Sequence, residues 1–312
     1  MNIENPNIID INSITRDKFE DIYFNQTLPV QFSGMNMDME IYKKWSFDFF
    51  KEKGREILCQ VSDDLNDPAN ITRKIPISDY IEIIQKGEDC PYMTGWSYQK
   101  TLPELDNDFI LPNWHPEDFI NKLPKHMQFR RRWIFFGKKG INCDLHIDCF
   151  STSAWILMVK GIKIFRAISP SSRHNIKMGD SLFDDKIIKR LHKKQIRILE
   201  FILKPGTILY IPTGWVHEIH NAEDNIMVTG GFTAKQHSIR FFHNYQSYIS
   251  KDTYSSEIAF KNYINDIYHP EIVISKEVKN SIEEDLEFTK KHISLLNEKM
   301  ELYNKMLNKN ID

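Results

Sequence analysis

No stretch of the chain approaches the roughly 20 consecutive apolar residues that a helix needs to cross a bilayer. Cysteine is scarce: four in 312 residues (Cys59, Cys90, Cys143 and Cys149), too few for a disulfide framework. Neither sign of charge dominates. The 41 Lys+Arg against 43 Asp+Glu give a formal net charge of -2, so the whole-chain basic field of a bulk nucleic-acid binder is missing and nucleic acid is disfavoured as a partner. Residues 1–10 are polar and acidic and lack the charged-then-apolar build of a secretory signal. Internal repeats and low-complexity linkers are also lacking. These absences lead us to expect a reduced, intracellular, cytoplasmic protein with no membrane partner. Core material is plentiful: 41% of residues are hydrophobic, with 20 Phe, 12 Tyr and 6 Trp, which excludes a disordered chain. The length suits one large domain or two modest ones.

The first third mixes helix and strand signals. Residues 13–22 read as a helix capped by Ser13, and Tyr42 to Lys53 as another. Ser78 opens a third that Gly87 closes. Short strands are expected at Leu28–Phe32 and Ile57–Val61. Pro91 to Pro124 reads as irregular with short helices. From Arg132 to Phe232 the texture changes to short apolar runs broken by turn residues: Gly137 and Gly140, Lys160-Gly161, Ser169-Pro170, Lys204-Pro205-Gly206, Pro212-Thr213-Gly214 and Asn221–Asn225. Strands at this density are expected to build an antiparallel barrel or jelly roll. Beyond Gln236 the pattern turns helical.

Within the strand-rich block, His146-Ile147-Asp148 aims an imidazole and a carboxylate at one point if the segment is extended, because residues i and i+2 of a strand share a face. One further nitrogen ligand would complete a face of two histidines and one carboxylate. Such a face leaves three positions of a six-coordinate metal open and suits non-haem Fe(II) chemistry with O₂. His217 and His220 are the candidates. They are three apart, so on a strand they face opposite sides and only one can join; we favour His217, which follows the Pro212-Thr213-Gly214 turn, and read His220 as structural. The helical His-Glu-x-x-His of zinc proteases is absent. Cys143 and Cys149 flank His146 and Asp148 without paired cysteine–zinc spacing and read as packing residues.

The block from Trp133 to Phe232 resembles the JmjC (Jumonji-C) branch of the cupin-type Fe(II)/2-oxoglutarate oxygenases, and most of all its lysyl-hydroxylase, phosphatidylserine-receptor-like subgroup. The matching residues are Arg132-Trp133 with Gly137 and Gly140, His146-Ile147-Asp148, Thr152-Ser153-Ala154-Trp155, Gly161-Ile162-Lys163, Pro205-Gly206 through His217, Asn221, and Thr229 with Phe232. The resemblance implies a mainly β fold with helical flanks: a double-stranded β-helix core over 125–236, an N-terminal α/β flank over 1–124 and a C-terminal helical region over 237–312. It implies Fe(II) held by His146, Asp148 and His217, and 2-oxoglutarate as cosubstrate. Lys163, Thr229 and Tyr92 match the residues that meet its distal carboxylate. It also implies hydroxylation of a protein or peptide side chain, with succinate and CO₂ as co-products. The subgroup usually carries Asn where Ile156 and Gly231 stand, and Thr or Ser near Cys143.

Three other readings stay open at this stage: a non-catalytic cupin-fold module binding peptide or RNA, a small-molecule or nucleoside oxygenase, and an N-methyl demethylase on the same scaffold. Two basic clusters, Arg130-Arg131-Arg132 with Lys138 and Lys139, and Lys186 to Arg197, read as solvated faces or as a rim that recruits an acidic partner. Near the end, Ile282, Leu286, Thr289, Ile293, Leu296, Met300, Tyr303 and Leu307 repeat at alternating four and three. That spacing fits a seam between helices and the expectation of a homodimer.

Overall fold

The computed structural model describes residues 3–65, 71–112, 114, 118–122, 132–148, 152–177 and 179–234, with seven isolated positions between 287 and 301. The chain divides into two units, 1–272 and 273–312. In the second, the described residues are helical and exposed. Of the apolar stripe only Met300 is among them, at 60% exposure, so the rest of the dimer seam lies outside the described residues.

In chain order the strands of the first unit are β1 Ile3–Glu4, β2 Ile9–Asp10, β3 Val30–Ser33, β4 Leu58–Ser62, β5 Arg73–Pro76, β6 Tyr92–Met93 and β7 Arg132–Gly137. There follow β8 Cys143–His146, β9 Ser153–Lys160, β10 Lys163–Ile168, β11 Ile198–Leu203, β12 Ile208–Ile211, β13 Val216–Asn221 and β14 Asn225–Phe232. They form a sheet ordered β1-β11-β10-β13-β8, a second ordered β2-β3-β12-β9-β14-β7, and a small one ordered β5-β4-β6. From β7 to β14 the chain alternates between the two large sheets at every step but β10 to β11. That winding is the double-stranded β-helix of cupin folds.

Three apolar layers explain why these strands lack a simple alternation. Ile156, Met158, Phe165, Phe201, Leu209 and Met227 fill the space between the large sheets. The back of the six-stranded sheet, through Trp155, Leu157, Tyr210 and Val228, packs on Phe19, Phe24, Trp45, Phe50 and Tyr80 of the N-terminal flank. The back of the five-stranded sheet, through Ile168, Ile198 and Val216, packs on Leu182, Ile188 and Leu191 of the insert between β10 and β11. A strand such as β9, buried on both faces, reads as one apolar run.

Helices follow local signals with two differences. The helix Ile77–Lys86 buries Ile77, Tyr80, Ile81 and Ile84, one stripe at helical spacing, and Gly87 ends it at φ +73. The segment read as one helix from Tyr42 to Lys53 is two, Glu40–Lys44 and Phe47–Lys53. Trp45 is extended so that its indole N–H donates to Asp108 at 2.7 Å, and Ser46 caps the second helix by accepting from the Phe49 N–H. At the N-terminus Thr15, not Ser13, caps Arg16–Phe19, which runs on into a π-turn over Glu20–Phe24.

Gly161 makes the turn that carries β9 into β10 and sets the position of Lys163. Its φ is +74, and a Cβ there would run into the Asp224 carbonyl oxygen. Gly161→Ala is therefore expected to lower unfolding stability by more than about 1 kcal/mol, read as a fall in the urea midpoint. An unchanged midpoint would mean the turn adapts freely.

Candidate metal centre

The strand pairing of β13 builds the site. His217 lies opposite His146 of β8, and Ile219 opposite Cys143, so two residues of β8, Asp144 and Leu145, face the single Glu218. This is a β-bulge. It turns His146 to the same face as Cys143 despite their odd separation, and their side chains meet with Sγ 3.7 Å from Nδ1. Asp148 lies two residues past the end of β8, outside the paired strand, with its carboxylate beside the two imidazoles. The three ligand-type atoms of His146, Asp148 and His217 lie within 4.8 Å of one another. His217 Nε2 is 3.9 Å from Asp148 Oδ1, and the two imidazole centroids are 4.3 Å apart.

Both histidines are prepared as ligands. A carbonyl only accepts, so His217 Nδ1–H donates to the Trp215 carbonyl at 3.1 Å and His146 Nδ1–H to that of Asp144 at 2.7 Å. In the neutral tautomer that these bonds select, each Nε2 carries a free lone pair. Burial and the neighbouring His146 push the pKa of His217 down to about 4, so its imidazole is neutral at ordinary pH. Against burial, the Cys143 thiol and the Asp148 carboxylate push His146 up to about 9, so it gives up a proton when a metal binds. Two imidazole nitrogens and one carboxylate suit a divalent transition metal.

His220 faces the other way. Its Nε2–H donates to Glu218 at 2.9 Å and its ring stacks on Phe183 at 3.5 Å. Glu218 also accepts from the Ser181 hydroxyl at 2.7 Å and the Leu182 N–H at 2.6 Å, fastening the insert to the back of β13. Nothing in the sequence reading had singled out Glu218; its signal was its place two residues before His220, on the same face of one strand.

His146, Asp148, His217, Lys163, Thr229 and Tyr92 all line one cavity of about 110 Å³. Lys163, at the start of β10, is 5% exposed. Its Nζ stands 5.8 Å from the centre of the Phe135 ring and has no hydrogen bond or ion pair among the described residues. Burial pushes its pKa down to about 8. A buried cation without a counter-ion calls for an anionic ligand. Tyr92 lies on β6, where burial and the neighbouring Cys143 push its phenol well above the usual range. Thr229 spends its proton on the Trp155 carbonyl at 2.7 Å, so it meets an anion as a donor only if that hydroxyl turns. Cys143, read as packing, lines the cavity as well. Cys149 lies outside the described residues.

A family model described as a cupin-like domain matches residues 16–237. Among curated proteins the chain is 27% identical over 249 residues to lysine-specific demethylase JMJ21 of Arabidopsis thaliana, covering 75% of this chain and 26% of that one. It is 26% identical over 178 residues to the 2-oxoglutarate and iron-dependent oxygenase JMJD4 of Danio rerio, 51% of this chain and 42% of that one. It is 22% identical over 242 residues to the bifunctional arginine demethylase and lysyl-hydroxylase psr-1 of Caenorhabditis elegans, 72% of this chain and 60% of that one. The chain thus spans between about a quarter and three fifths of the length of these relatives.

The buried lysine has a measurable cost. Its folded pKa of about 8 lies below the unfolded value near 10.5, so the folded state binds fewer protons between those two pH values. Stability therefore rises with pH across that window, and the penalty is complete below pH 8. Lys163→Met is expected to stabilise the ligand-free protein at pH 7 by up to about 3 kcal/mol. The gain should fade towards pH 10.5 in denaturant titrations; no gain at pH 7 would mean the ammonium is paired.

Proposed function

The chain belongs to the cupin-like domain family, on the JmjC branch of its relatives, and from that premise we propose that it is an Fe(II)- and 2-oxoglutarate-dependent oxygenase that hydroxylates a protein or peptide side chain. The observation that carries the reading is the cluster of His146, Asp148 and His217 in the same small cavity as an unpartnered buried Lys163. A metal face alone would fit several chemistries. A metal face together with a buried cation fits a ligand that chelates at one end and is anionic at the other, as 2-oxoglutarate is.

His146, Asp148 and His217 would hold the iron, the two histidines through Nε2, with their rings oriented by the Asp144 and Trp215 carbonyls at Nδ1. Bound there, iron with 2-oxoglutarate supplies O₂ activation, delivering one oxygen atom to a C–H bond and the other to succinate, with loss of CO₂. Lys163 would take the distal carboxylate, with the Tyr92 phenol beside it and Thr229 joining by turning its proton away from Trp155. Phe135, Ile156 and Met227 keep the chamber apolar and restrict water. The free thiols of Cys59, Cys90 and Cys143 support a reducing, cytoplasmic setting, and no helix among the described residues is long and apolar enough to cross a membrane. The heptad spacing of 282–307 supports pairing of two chains through that segment. Light scattering is expected to give twice the chain mass, and a single mass once 279–312 is removed; single masses for both would contradict the pairing.

Activity is tested by incubating purified protein with Fe(II), ascorbate, 2-oxoglutarate and a peptide digest in air. Succinate should accumulate with wild type and fall at least 100-fold with Asp148→Ala. Equal, background-level succinate from both proteins would contradict the oxygenase reading.

A further inference from the structure

Resting on the oxygenase reading, the charges around the cavity identify the kind of side chain it accepts. Strand parity puts Ala154 and Ile156 of β9, Met227 of β14, Ile219 of β13 and Phe135 of β7 on the inner wall. Among the described lining residues Asp148 is the only acid and Lys163 the only lysine or arginine. With the iron and a dianionic cosubstrate added, the positive and negative charges of the chamber cancel. Among the described lining residues nothing remains to offset a third cation.

The acids near the mouth are engaged or face elsewhere. Asp106 accepts from Tyr98 and pairs with Arg132 at 2.7 Å. Asp118 accepts from the Thr233 N–H at 3.1 Å. Asp144, Asp180 and Glu218 line the cleft against the insert, which His146 also borders; there Asp180 pairs with Arg190 and Glu218 accepts from Ser181, Leu182 and His220.

We propose that the chamber takes an uncharged side chain, in contrast to the lysyl and arginine substrates in the names of its relatives. A lysine or arginine head group entering it would lose its water and meet the iron and Lys163 without a counter-charge. Discrimination against such a group comes from that missing partner. Gly231 is the place where one residue reverses the rule. It pairs with Ala154 across the sheet, and a Cβ there would sit in ordinary contact with Thr152 and Trp133, at 3.4 and 3.7 Å. Gly231 lies on the strand face of Met227 and Thr229, which line the cavity, so Gly231→Asp has room for its Cβ and adds an acid at the end of that face.

The test compares two fluorescent peptide libraries with the same randomised flanks. One has Leu, Val, Pro, Asn or Gln at the centre and the other Lys, Arg or N-methylarginine. Binding is measured without oxygen on protein loaded with Mn(II) and 2-oxoglutarate, and oxygen gain by mass spectrometry after Fe(II) and air. Wild type is expected to bind the uncharged pool at least tenfold tighter and to oxidise that pool alone, while Gly231→Asp closes the gap at least tenfold. Equal or tighter binding of the cationic pool by wild type, or no binding of either pool by protein that retains 2-oxoglutarate, overturns the inference. Protein that retains neither metal nor 2-oxoglutarate fails at the oxygenase reading instead.

Discussion

Strand β13 is paired on both sides, to β8 with His217 opposite His146 and to β10 with Asn221 opposite Lys163. His217 and Asn221 are four residues apart, roughly 13 Å of strand. One pairing pattern therefore fixes both the candidate metal ligands and their distance from the buried cation. A slip of one residue would send His217 to the back of the sheet and bring Glu218 into the barrel. The fastening of Glu218 to Ser181, Leu182 and His220 opposes that slip, because an unpaired carboxylate in the apolar interior is far costlier than one accepting three hydrogen bonds.

The barrel can hold an uncompensated lysine because the rest of it is so well buried. The inner layer, the packing of the N-terminal flank and the packing of the insert close all but the mouth. Stability gathered in those layers offsets the strain at Lys163, and an anion that binds there recovers it. Geometry at the metal end is prepared in a different way, by backbone carbonyls that hold the histidine rings and by a bulge that aims one of them. The side chains of both ends are thus in place before any ligand arrives, with only the Thr229 proton left to turn, which suits a site that assembles several small reactants.

Much of this was legible in the sequence for a physical reason: glycine and proline mark turns wherever they fall. The apolar runs set off by such marks match β7, β9, β10, β11, β12 and β13 to within two residues at each end, whereas β14 runs three residues further than its run, through Gly230 and Gly231 to Phe232. The parity of His217 and His220 separated the histidine that joins the cluster from the one that faces the insert, since strand faces alternate without regard to the rest of the fold. The bulge at Asp144-Leu145 was not legible, because it exists only in the registration of two strands some seventy residues apart. Nor was the hydrogen bond from Thr229 to Trp155, which a sequence match cannot reveal. The break at Trp45-Ser46 was present in the sequence as a capping serine, but the aromatic run around it spoke more strongly for a single helix. Asp108, which holds Trp45 extended, lies 63 residues away.

Whether the metal face and the buried lysine serve one ligand is the question on which the rest turns. The most direct measurement is an anaerobic titration of metal-free protein with Fe(II) and then 2-oxoglutarate, following the visible charge-transfer band of a chelated keto acid. With one shared ligand, the band appears in wild type, is absent in His217→Ala, and in Lys163→Met needs at least tenfold more 2-oxoglutarate to reach half its height. A band equally easy to form in Lys163→Met, or no band in wild type that has retained its iron, would contradict the shared site.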